Sequence, residues 1–325
     1  MKSLYILSSG ELRREGNTLC LENSDGRKFV PITNVSDIYV FGEVSFNKRF
    51  LEFMTENHVL LHFFNYYGFY TGSYVPRSHY SSGYLIIKQA EHYMDASKRI
   101  AIAGKFVYGA ARNMMAVLKY YGSEDIRKKI SEIEDKMGRL KYAARIEELM
   151  ALEGNIREDY YSSFNFIIKN DEFRFTGRQR RPPGSPLNAL ISFGNGLMYA
   201  AVLSEIYRTH LDPRIGYLHE SSFRKFTLNL DVAEIFKPII VDRLIFSMIN
   251  RSEIDGSDFS REMKGIFLNE KGRSKFLRKF DERLEQTITI GSKKISYRRL
   301  IRLELYKLEK HLIGEKEYEP YVSEW

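Results

Sequence analysis

The chain has 325 residues, of which 43% are hydrophobic and 28% are charged, the balance of an ordinary globular protein. This composition excludes an intrinsically disordered chain, the single cysteine Cys20 excludes an internal disulfide framework, and no stretch is predicted to span a membrane. We therefore expect a cytoplasmic protein, and its net charge of +8 favours a polyanionic partner.

Residues 1–76 are predicted to form strands, because short apolar runs alternate there with Gly, Asn, Asp and Ser at turns. One helix is predicted between two of these strands, over 47–57. The stretch 76–83 has the Pro, Ser and Gly content of a loop and is the best candidate for a domain boundary. The sequence therefore predicts an N-terminal β domain over 1–83 and a second domain over 84–325.

The second domain is predicted to be helical, because apolar residues recur there at spacings of three and four. Helices are placed at 85–121, 124–136, 138–153, 155–168, 187–210, 231–252, 272–286 and 295–313. The predicted fold class is α+β, with a small N-terminal β-sheet domain followed by a larger all-α domain.

Four residues of types that bind metal ions are Glu153, His219, Asp231 and Glu234. Helical spacing puts Glu153 and Arg157 on one face, and Asp231 and Glu234 are three residues apart, so both carboxylates can point the same way. Carboxylates with a single imidazole suit Mg²⁺ or Mn²⁺ better than Zn²⁺, which usually binds more His or Cys. A divalent ion in a basic protein indicates chemistry on phosphates.

Each of these residues also has an ordinary structural interpretation. Asp231 and Glu234 fit a capping box at the start of a helix, and taken alone this pattern favours a cap over a metal ligand. Glu153 precedes Gly154, which is typical of a helix end, and His219 follows an apolar run, which is typical of a core histidine. The two roles of the acidic pair are compatible, because a capping carboxylate keeps free lone pairs.

The predicted helix at 187–210 carries a polar stripe of Asn188, Ser192, Asn195 and Tyr199, at spacings of four, three and four. Small polar residues let helices pack closely, which is one explanation of the stripe. The other is that the stripe faces the metal pocket and supplies hydrogen bonds to the metal ligands. The sequence does not separate the two.

Arg174, Arg178, Arg180 and Arg181 are candidate phosphate contacts, since they alternate with aromatic residues before a Pro-rich loop. Guanidinium groups bind phosphate through two nitrogens and stack on bases. The alternative is a solvated loop, but its place between two candidate ligand segments favours contact with nucleic acid.

A second basic cluster lies between residues 271 and 311, where thirteen Lys or Arg face five Asp or Glu. The resulting excess of eight positive charges equals the net charge of the whole chain. Arg298, Arg299 and Arg302 are its candidate contacts with DNA phosphates, and a solvated charged face is the alternative.

The order of these motifs resembles the CRISPR adaptation integrases, the family of metal-dependent endonucleases that capture foreign DNA as new spacers. The acidic motif at 153–157, the Arg- and Pro-rich segment at 177–194, the segment at 211–219 and the pair Asp231 and Glu234 follow one another as in that family. The resemblance runs the full length of the chain. The family accepts either acid at the last ligand position, and Glu234 is one methylene longer than Asp.

The resemblance implies that the helical domain is catalytic, with Glu153, His219 and Glu234 binding Mg²⁺ or Mn²⁺. Asp231 would be a fourth ligand or would support the other three. The 3′-hydroxyl of a short DNA duplex would attack a phosphodiester at the edge of a CRISPR repeat. The family also implies a homodimer formed through the β domains and a small second CRISPR adaptation protein as partner.

A different class of function is compatible with the same residues. A non-catalytic nucleic-acid-binding scaffold would use the basic surface, and its carboxylates would serve as helix caps. The two hypotheses differ in whether a divalent metal turns bound DNA into product.

Overall fold

The structure, a computed structural model, describes residues 2–77, 80, 82–179, 182–221, 226–262 and 265–324. The first part of the chain forms strands, as predicted, with one helix among them. In chain order the elements are β1 (Lys2–Ile6), β2 (Gly10–Glu15), β3 (Thr18–Asn23), β4 (Gly26–Pro31), β5 (Val35–Val40), β6 (Val44–Phe46), α1 (Lys48–Glu56), β7 (Leu60–Phe64) and β8 (Tyr70–Tyr74).

These strands form two four-stranded sheets that share an apolar core. One sheet has the strand order β4-β3-β2-β6, and the other has the order β1-β5-β7-β8, in which only β8 is antiparallel to its neighbour. Leu12 of the first sheet, Ile38 of the second and Phe50 of α1 are fully buried together. Apolar and polar residues alternate along the strands, which places apolar side chains on the face of each sheet that lines this core.

The second part of the chain is mostly helical. Its helices are α2 (Gly83–Met94), α3 (Ala96–Tyr121), α4 (Glu124–Met137), α5 (Ile146–Ser162), α6 (Phe164–Ile167), α7 (Pro186–Tyr207), α8 (Leu228–Lys237), α9 (Arg243–Asn250), α10 (Glu270–Glu285) and α11 (Tyr297–Leu312). A π-helical turn, Pro238–Asp242, joins α8 to α9. The helices predicted near 124–136, 187–210, 272–286 and 295–313 are confirmed to within a few residues.

Several predicted helix boundaries are wrong; for example, the helix predicted to begin at 138 begins at Ile146. The helix predicted over 85–121 is divided at Asp95, because the Asp95 carboxylate caps α3 by accepting hydrogen bonds from the amides of Ser97 and Lys98. Conversely, the break predicted after residue 153 does not exist, since α5 continues through Gly154. Glu153 is therefore an interior helical residue and not a helix end.

Two short hairpins correct the expectation of an all-α second domain. β9 (Phe259–Glu262) pairs with β10 (Gly265–Leu268), and β11 (Thr287–Ile290) pairs with β12 (Lys293–Ser296), both antiparallel. The run Thr287–Ile290 alternates Thr and Ile, which are both β-branched and favour a strand. The run is too short to stand out between two helices. The fold class of a β-sheet region followed by a mostly helical domain is nevertheless confirmed.

α7 is the central helix of the second part. By length and composition it could cross a membrane, but 89% of its most apolar stretch is buried inside the protein. Leu190, Leu197 and Ile206 are fully buried on it. Its apolar character is therefore that of a core helix.

The sheet β1-β5-β7-β8 also packs against the helices. Tyr39 and Phe64 belong to the same apolar core as Phe193 of α7, and His62 Nε2 lies 2.8 Å from the hydroxyl of Ser204. The apolar core is thus continuous across the boundary predicted at residue 83, and the division into 1–83 and 84–325 stays a prediction.

Candidate metal centre

Two helices bring the candidate carboxylates together around one cation. Glu153 and Arg157 lie one turn apart on α5, and Glu234 lies on α8. The Nη2 atom of Arg157 donates hydrogen bonds to both Glu153 Oε1 and Glu234 Oε2. Because a single nitrogen contacts both carboxylates, residues 153 and 234 converge on one place.

Lys237 neutralises the second oxygen of Glu234. Its ammonium donates to Glu234 Oε1 and to the hydroxyl of Tyr199, both at 2.6 Å, and lies 4.4 Å from the centre of the Tyr199 ring. Burial alone would raise the pKa of Glu234, but the charges of Arg157 and Lys237 outweigh burial and hold this pKa well below its usual range. Glu234 is therefore ionised, and both of its oxygens contact cations.

Asp231 holds the loop that carries His219. Its Oδ2 accepts hydrogen bonds from the amides of Tyr217 and Leu218, at 2.6 and 3.0 Å, and its Oδ1 accepts one from the amide of His219, at 3.0 Å. The loop can approach this closely because residue 216 is glycine: a Cβ there would lie 2.8 Å from Asp231 Oδ2. Asp231 is fully buried.

The capping-box interpretation of Asp231 and Glu234 is wrong. α8 begins at Leu228, after Thr227, so Asp231 lies in the first turn of the helix and not at its cap. Its carboxylate contacts the amides of the 217–219 loop instead of those of its own helix. With both oxygens engaged, Asp231 is placed to support His219, and direct binding of a metal by Asp231 is disfavoured.

His219 is oriented by Asp231 as a metal ligand would be. Its Nδ1 lies 2.7 Å from Asp231 Oδ1, which fixes the proton on Nδ1 and leaves the lone pair on Nε2. No hydrogen-bond partner for Nε2 is found in the described part of the chain, and 24% of the side chain is exposed. Burial opposes protonation of the ring, but the hydrogen bond and charge of Asp231 outweigh it and raise the His219 pKa.

The donor set fits a hard divalent ion. Glu153 and Glu234 meet at Arg157, and Asp231, on the same helix as Glu234, holds the imidazole of His219. Within the described ranges, however, no group of three His, Cys, Asp or Glu side chains is arranged as a metal site. Arg157 and Lys237 contact the carboxylate oxygens that an ion would bind.

Asp242 is a buried acid near the centre that the sequence did not predict as a site residue. Asp242 ends the π-helical turn and lies beside the hydroxyl of Tyr160. Burial raises the pKa of Asp242 to about 7, although the charges of Arg157 and Lys237 oppose the shift. The spacing of three between Glu234 and Lys237 was a readable signal, whereas nothing in the sequence distinguished Asp242.

The polar stripe of α7 serves two sites. Asn188 accepts from the amide of Gln179 at 3.1 Å and from Arg178 at 3.0 Å, and Arg178 also donates to Ser192 at 3.1 Å. The described hydrogen bonds of Asn188 and Ser192 thus hold the Arg-rich loop, and their role as supports of the metal ligands stays a prediction. At its far end the stripe reaches the centre through Tyr199. Support by the buried Asn195 stays a prediction.

The Arg-rich loop is described only in part. Arg174 is exposed, and Arg178 is half-buried against α7 through the bonds just given. Arg180 and Arg181 lie outside the described residues. The loop is therefore positioned by α7, and Arg174 is the member that solvent reaches most freely.

Two of the three arginines predicted on α11 to bind DNA are structural. Arg298 donates to Ser3 at 3.0 Å and to Glu285 at 2.8 Å and lies 3.8 Å from the buried Asp37, while only 12% of its side chain is exposed. Arg302 donates to the buried Glu205 at 2.6 Å. We therefore withdraw both as phosphate contacts, because their charges neutralise buried acids. Arg299 is exposed.

The basic excess over 271–311 is largely neutralised by acids from elsewhere in the chain. Lys275 lies 2.6 Å from Asp258, and Lys279 lies 3.2 Å from Glu253. Counting charges within a window of sequence therefore overestimates the charge available to a partner. Exposed cations of this region are Lys271, Arg278, Lys293, Lys294, Arg299 and Lys310.

Comparison with known proteins identifies relatives over the whole chain. The model of the family CRISPR associated protein Cas1 matches residues 4–282. The chain is 54% identical over 329 aligned positions to CRISPR-associated endonuclease Cas1 2 of Thermodesulfovibrio yellowstonii, covering 100% of this chain and 99% of that protein. It is 47% identical to CRISPR-associated endonuclease Cas1 of Thermotoga maritima, covering 97% of this chain and 98% of the relative.

Solved structures show the same fold. A Cas1 protein of Thermotoga maritima superposes with a TM-score of 0.93 at 46% identity, covering 98% of this chain and 100% of that one. A casposase bound to its integration product superposes with a TM-score of 0.88 over 99% of this chain and 94% of that one. At 21% identity, the second similarity establishes the fold alone.

Proposed function

Because this chain belongs to the Cas1 family of CRISPR-associated proteins, we propose that it is a metal-dependent DNA endonuclease and integrase that inserts new spacers into a CRISPR array. The observation that carries the proposal is the pairing of Asp231 with His219. This pairing leaves Nε2 free to bind a metal, and two further candidate ligands, Glu153 and Glu234, converge on Arg157. A core histidine or a set of helix caps would not need that arrangement.

Glu153, Glu234 and His219 Nε2 would hold Mg²⁺ or Mn²⁺, and Asp231 would keep the imidazole in the ligating tautomer. The ion, when bound, polarises the scissile phosphate and lowers the pKa of the attacking hydroxyl. Lys237 remains positively charged beside Glu234, so it can offset the negative charge that develops on the phosphate. No covalent protein nucleophile is required, and water in place of the 3′-hydroxyl gives the nuclease reaction.

The partners would be a protospacer DNA duplex, the CRISPR repeat and the small second CRISPR adaptation protein. Arg174, Arg178 and Arg299 are the described arginines that we retain as DNA contacts, with Arg180 and Arg181 proposed from the sequence. Guanidinium groups in these places would bind backbone phosphates and set affinity, while the metal centre sets the rate. We place the protein in the cytoplasm, where its buried Cys20 stays reduced.

The proposal is tested with a short duplex bearing 3′-hydroxyl ends and a DNA that contains a CRISPR repeat. In Mn²⁺ or Mg²⁺ we expect joined products, and in EDTA only binding. A duplex with 3′-deoxy ends should bind equally but join to nothing, since the attacking oxygen is missing. Binding of all substrates without any metal-dependent product would favour the scaffold instead.

The rate of joining should fall at acid pH with a midpoint above about 6.5, the usual pKa of histidine. Only neutral imidazole binds a metal, and Asp231 raises the pKa of His219, so the ligand is lost to protonation at a higher pH than usual. Asp231→Asn should move the midpoint to lower pH, because the amide lacks the charge that favours protonation. Rates measured below saturation with metal, from pH 5 to 8, check this prediction. An unchanged midpoint in Asp231→Asn would show that Asp231 does not control the protonation that limits the rate.

We further propose a homodimer formed through the β domains. β4 is an edge strand of its sheet with nearly every residue exposed, and the side chain of Phe29 on it is 52% exposed. Such an edge is a template for pairing with a second copy. Phe29→Glu is therefore expected to yield monomers in analytical ultracentrifugation. Phe166→Glu, which charges a similarly exposed phenylalanine on α6, should leave the dimer intact. A dimer that persists in Phe29→Glu contradicts the assignment.

A further inference from the structure

The hydrogen bonds of Arg157 in the described part of the chain all go to two candidate metal ligands. Its Nη2 atom donates to Glu153 and Glu234, and its buried Nε finds no hydrogen-bond partner among the described residues. The side chain is 10% exposed. An unpaired buried N–H is unfavourable, so the guanidinium is held here by the two charges and leaves part of its hydrogen-bonding capacity unused.

The charges at this place balance only while the two cations remain. Glu153 and Glu234 contribute two negative charges, and Arg157 and Lys237 contribute two positive ones. A divalent ion on the same oxygens would lie against the guanidinium and be repelled by it. Binding of an ion therefore requires at least one cation to leave the carboxylates.

Of the two cations, Arg157 is the one free to leave. Lys237 is also held by the Tyr199 hydroxyl at 2.6 Å and by the face of the Tyr199 ring. Among the described residues, the Arg157 guanidinium donates hydrogen bonds to the two carboxylates alone. If the metal centre acts on DNA, a guanidinium displaced from the carboxylates lies near a phosphate of the bound DNA. It can bind the phosphate oxygens through two nitrogens, one of them the Nε that has no described partner in the metal-free site.

Resting on the proposed function, we propose that Arg157 exchanges partners during the reaction cycle. Without metal it holds Glu153 and Glu234 together, and with metal it moves to a phosphate of the DNA. The exchange makes metal binding and DNA binding cooperative, because the DNA stabilises the displaced arginine. Arg157 is thereby a substrate contact as well as a support of the metal-free site.

The first test measures Mn²⁺ affinity of the DNA-free protein by electron paramagnetic resonance. Arg157→Gln should bind Mn²⁺ about tenfold more tightly than the wild type, because the competing conformation is removed. Arg178→Gln is the matched control: it removes a charge whose guanidinium donates to Asn188 and Ser192, so it should change affinity far less. Arg157→Lys keeps the charge and should stay near wild type. Thermal melting verifies that each variant is folded.

The second test compares the dependence of duplex affinity on salt in EDTA and in Mn²⁺. In EDTA, wild type and Arg157→Gln should give equal slopes of log affinity against log salt, because Arg157 is held by the carboxylates. In Mn²⁺ the variant should have a slope shallower by about 0.9, the loss of one phosphate contact. A difference between the two proteins that is the same in both conditions would overturn the exchange.

The two proposals fail in different ways. If Glu153→Ala leaves Mn²⁺ binding unchanged, the metal centre is wrong and the exchange falls with it. If Glu153→Ala abolishes Mn²⁺ binding while Arg157→Gln binds no more tightly than wild type, the metal centre stands and the exchange alone is overturned. If Arg157→Gln and Arg178→Gln both bind Mn²⁺ more tightly, the loss of any nearby positive charge explains the effect. That result would also overturn the exchange.

Discussion

Glu153→Gln is expected to lower the rate of product formation by roughly a thousandfold or more while leaving duplex affinity nearly unchanged. Glutamine has the same size as glutamate, so the site keeps its packing, but the amide is a poor ligand for a hard divalent ion. Removing a negative charge near the phosphates should leave DNA binding intact or tighten it. Joined products on a denaturing gel and duplex affinity by fluorescence anisotropy give the two readouts.

Glu158→Gln is the matched control for that change. Glu158 is an exposed acid on the same helix, five residues further along and away from the converging carboxylates. It should form product at the wild-type rate. Product formation by Glu153→Gln, or loss of DNA binding in that variant alone, would remove Glu153 from the metal centre.

Arg298→Ala is expected to lower the free energy of unfolding by about 3–5 kcal/mol and to leave the salt dependence of DNA binding unchanged. The change leaves Asp37, which is fully buried, without one of its two neighbouring guanidinium groups. Arg299→Ala, the exposed neighbour, should change stability by less than about 0.5 kcal/mol. Urea unfolding of both variants measures the difference.

Arg298→Ala should also change the pH dependence of the free energy of unfolding. Burial would raise the pKa of Asp37, but Arg298 and Arg208 outweigh it and lower that pKa, so the pair stabilises the protein above the pKa of the unfolded chain. The contribution is lost as pH falls through the lowered pKa of the folded state. Without Arg298 the pKa rises, and the variant should lose stability at a higher pH than wild type. A flatter salt dependence of DNA binding in Arg298→Ala would restore this arginine as a phosphate contact.

The convergence of Glu153 and Glu234 was expected from the family resemblance, while local spacing gave only which neighbours share a helix face. Glu153 and Arg157 are one helical turn apart, and Glu234 is three residues from Asp231. The role of Asp231 was not readable, since the same pattern fits a cap. Thr227, which precedes α8, lies eleven residues after Gly216 in the sequence and contacts it in the structure. This contact brings the loop of His219 to the carboxylate of Asp231.

Charge was the property that sequence predicted least well. Arg298 and Arg302 stood in a basic window, and the acids that neutralise them, Asp37 and Glu205, are far away in the chain. A buried ion pair needs two residues that meet only after folding, so a local count assigns its cation to the surface. Helical spacing, in contrast, is a local property, and it placed four of the eight predicted helices to within a few residues.

The pairing of Asp37 with Arg298 has a consequence for synthesis of the protein. A ribosome makes the N-terminal sheet first, and at about 5–20 residues per second the arginine follows roughly 13–50 s later. During that interval the central strand of the nascent sheet carries an acid that cannot yet be buried with its cations. The sheet therefore gains its full set of charge partners only when translation is nearly complete, and premature termination before Arg208 leaves Asp37 without either guanidinium group.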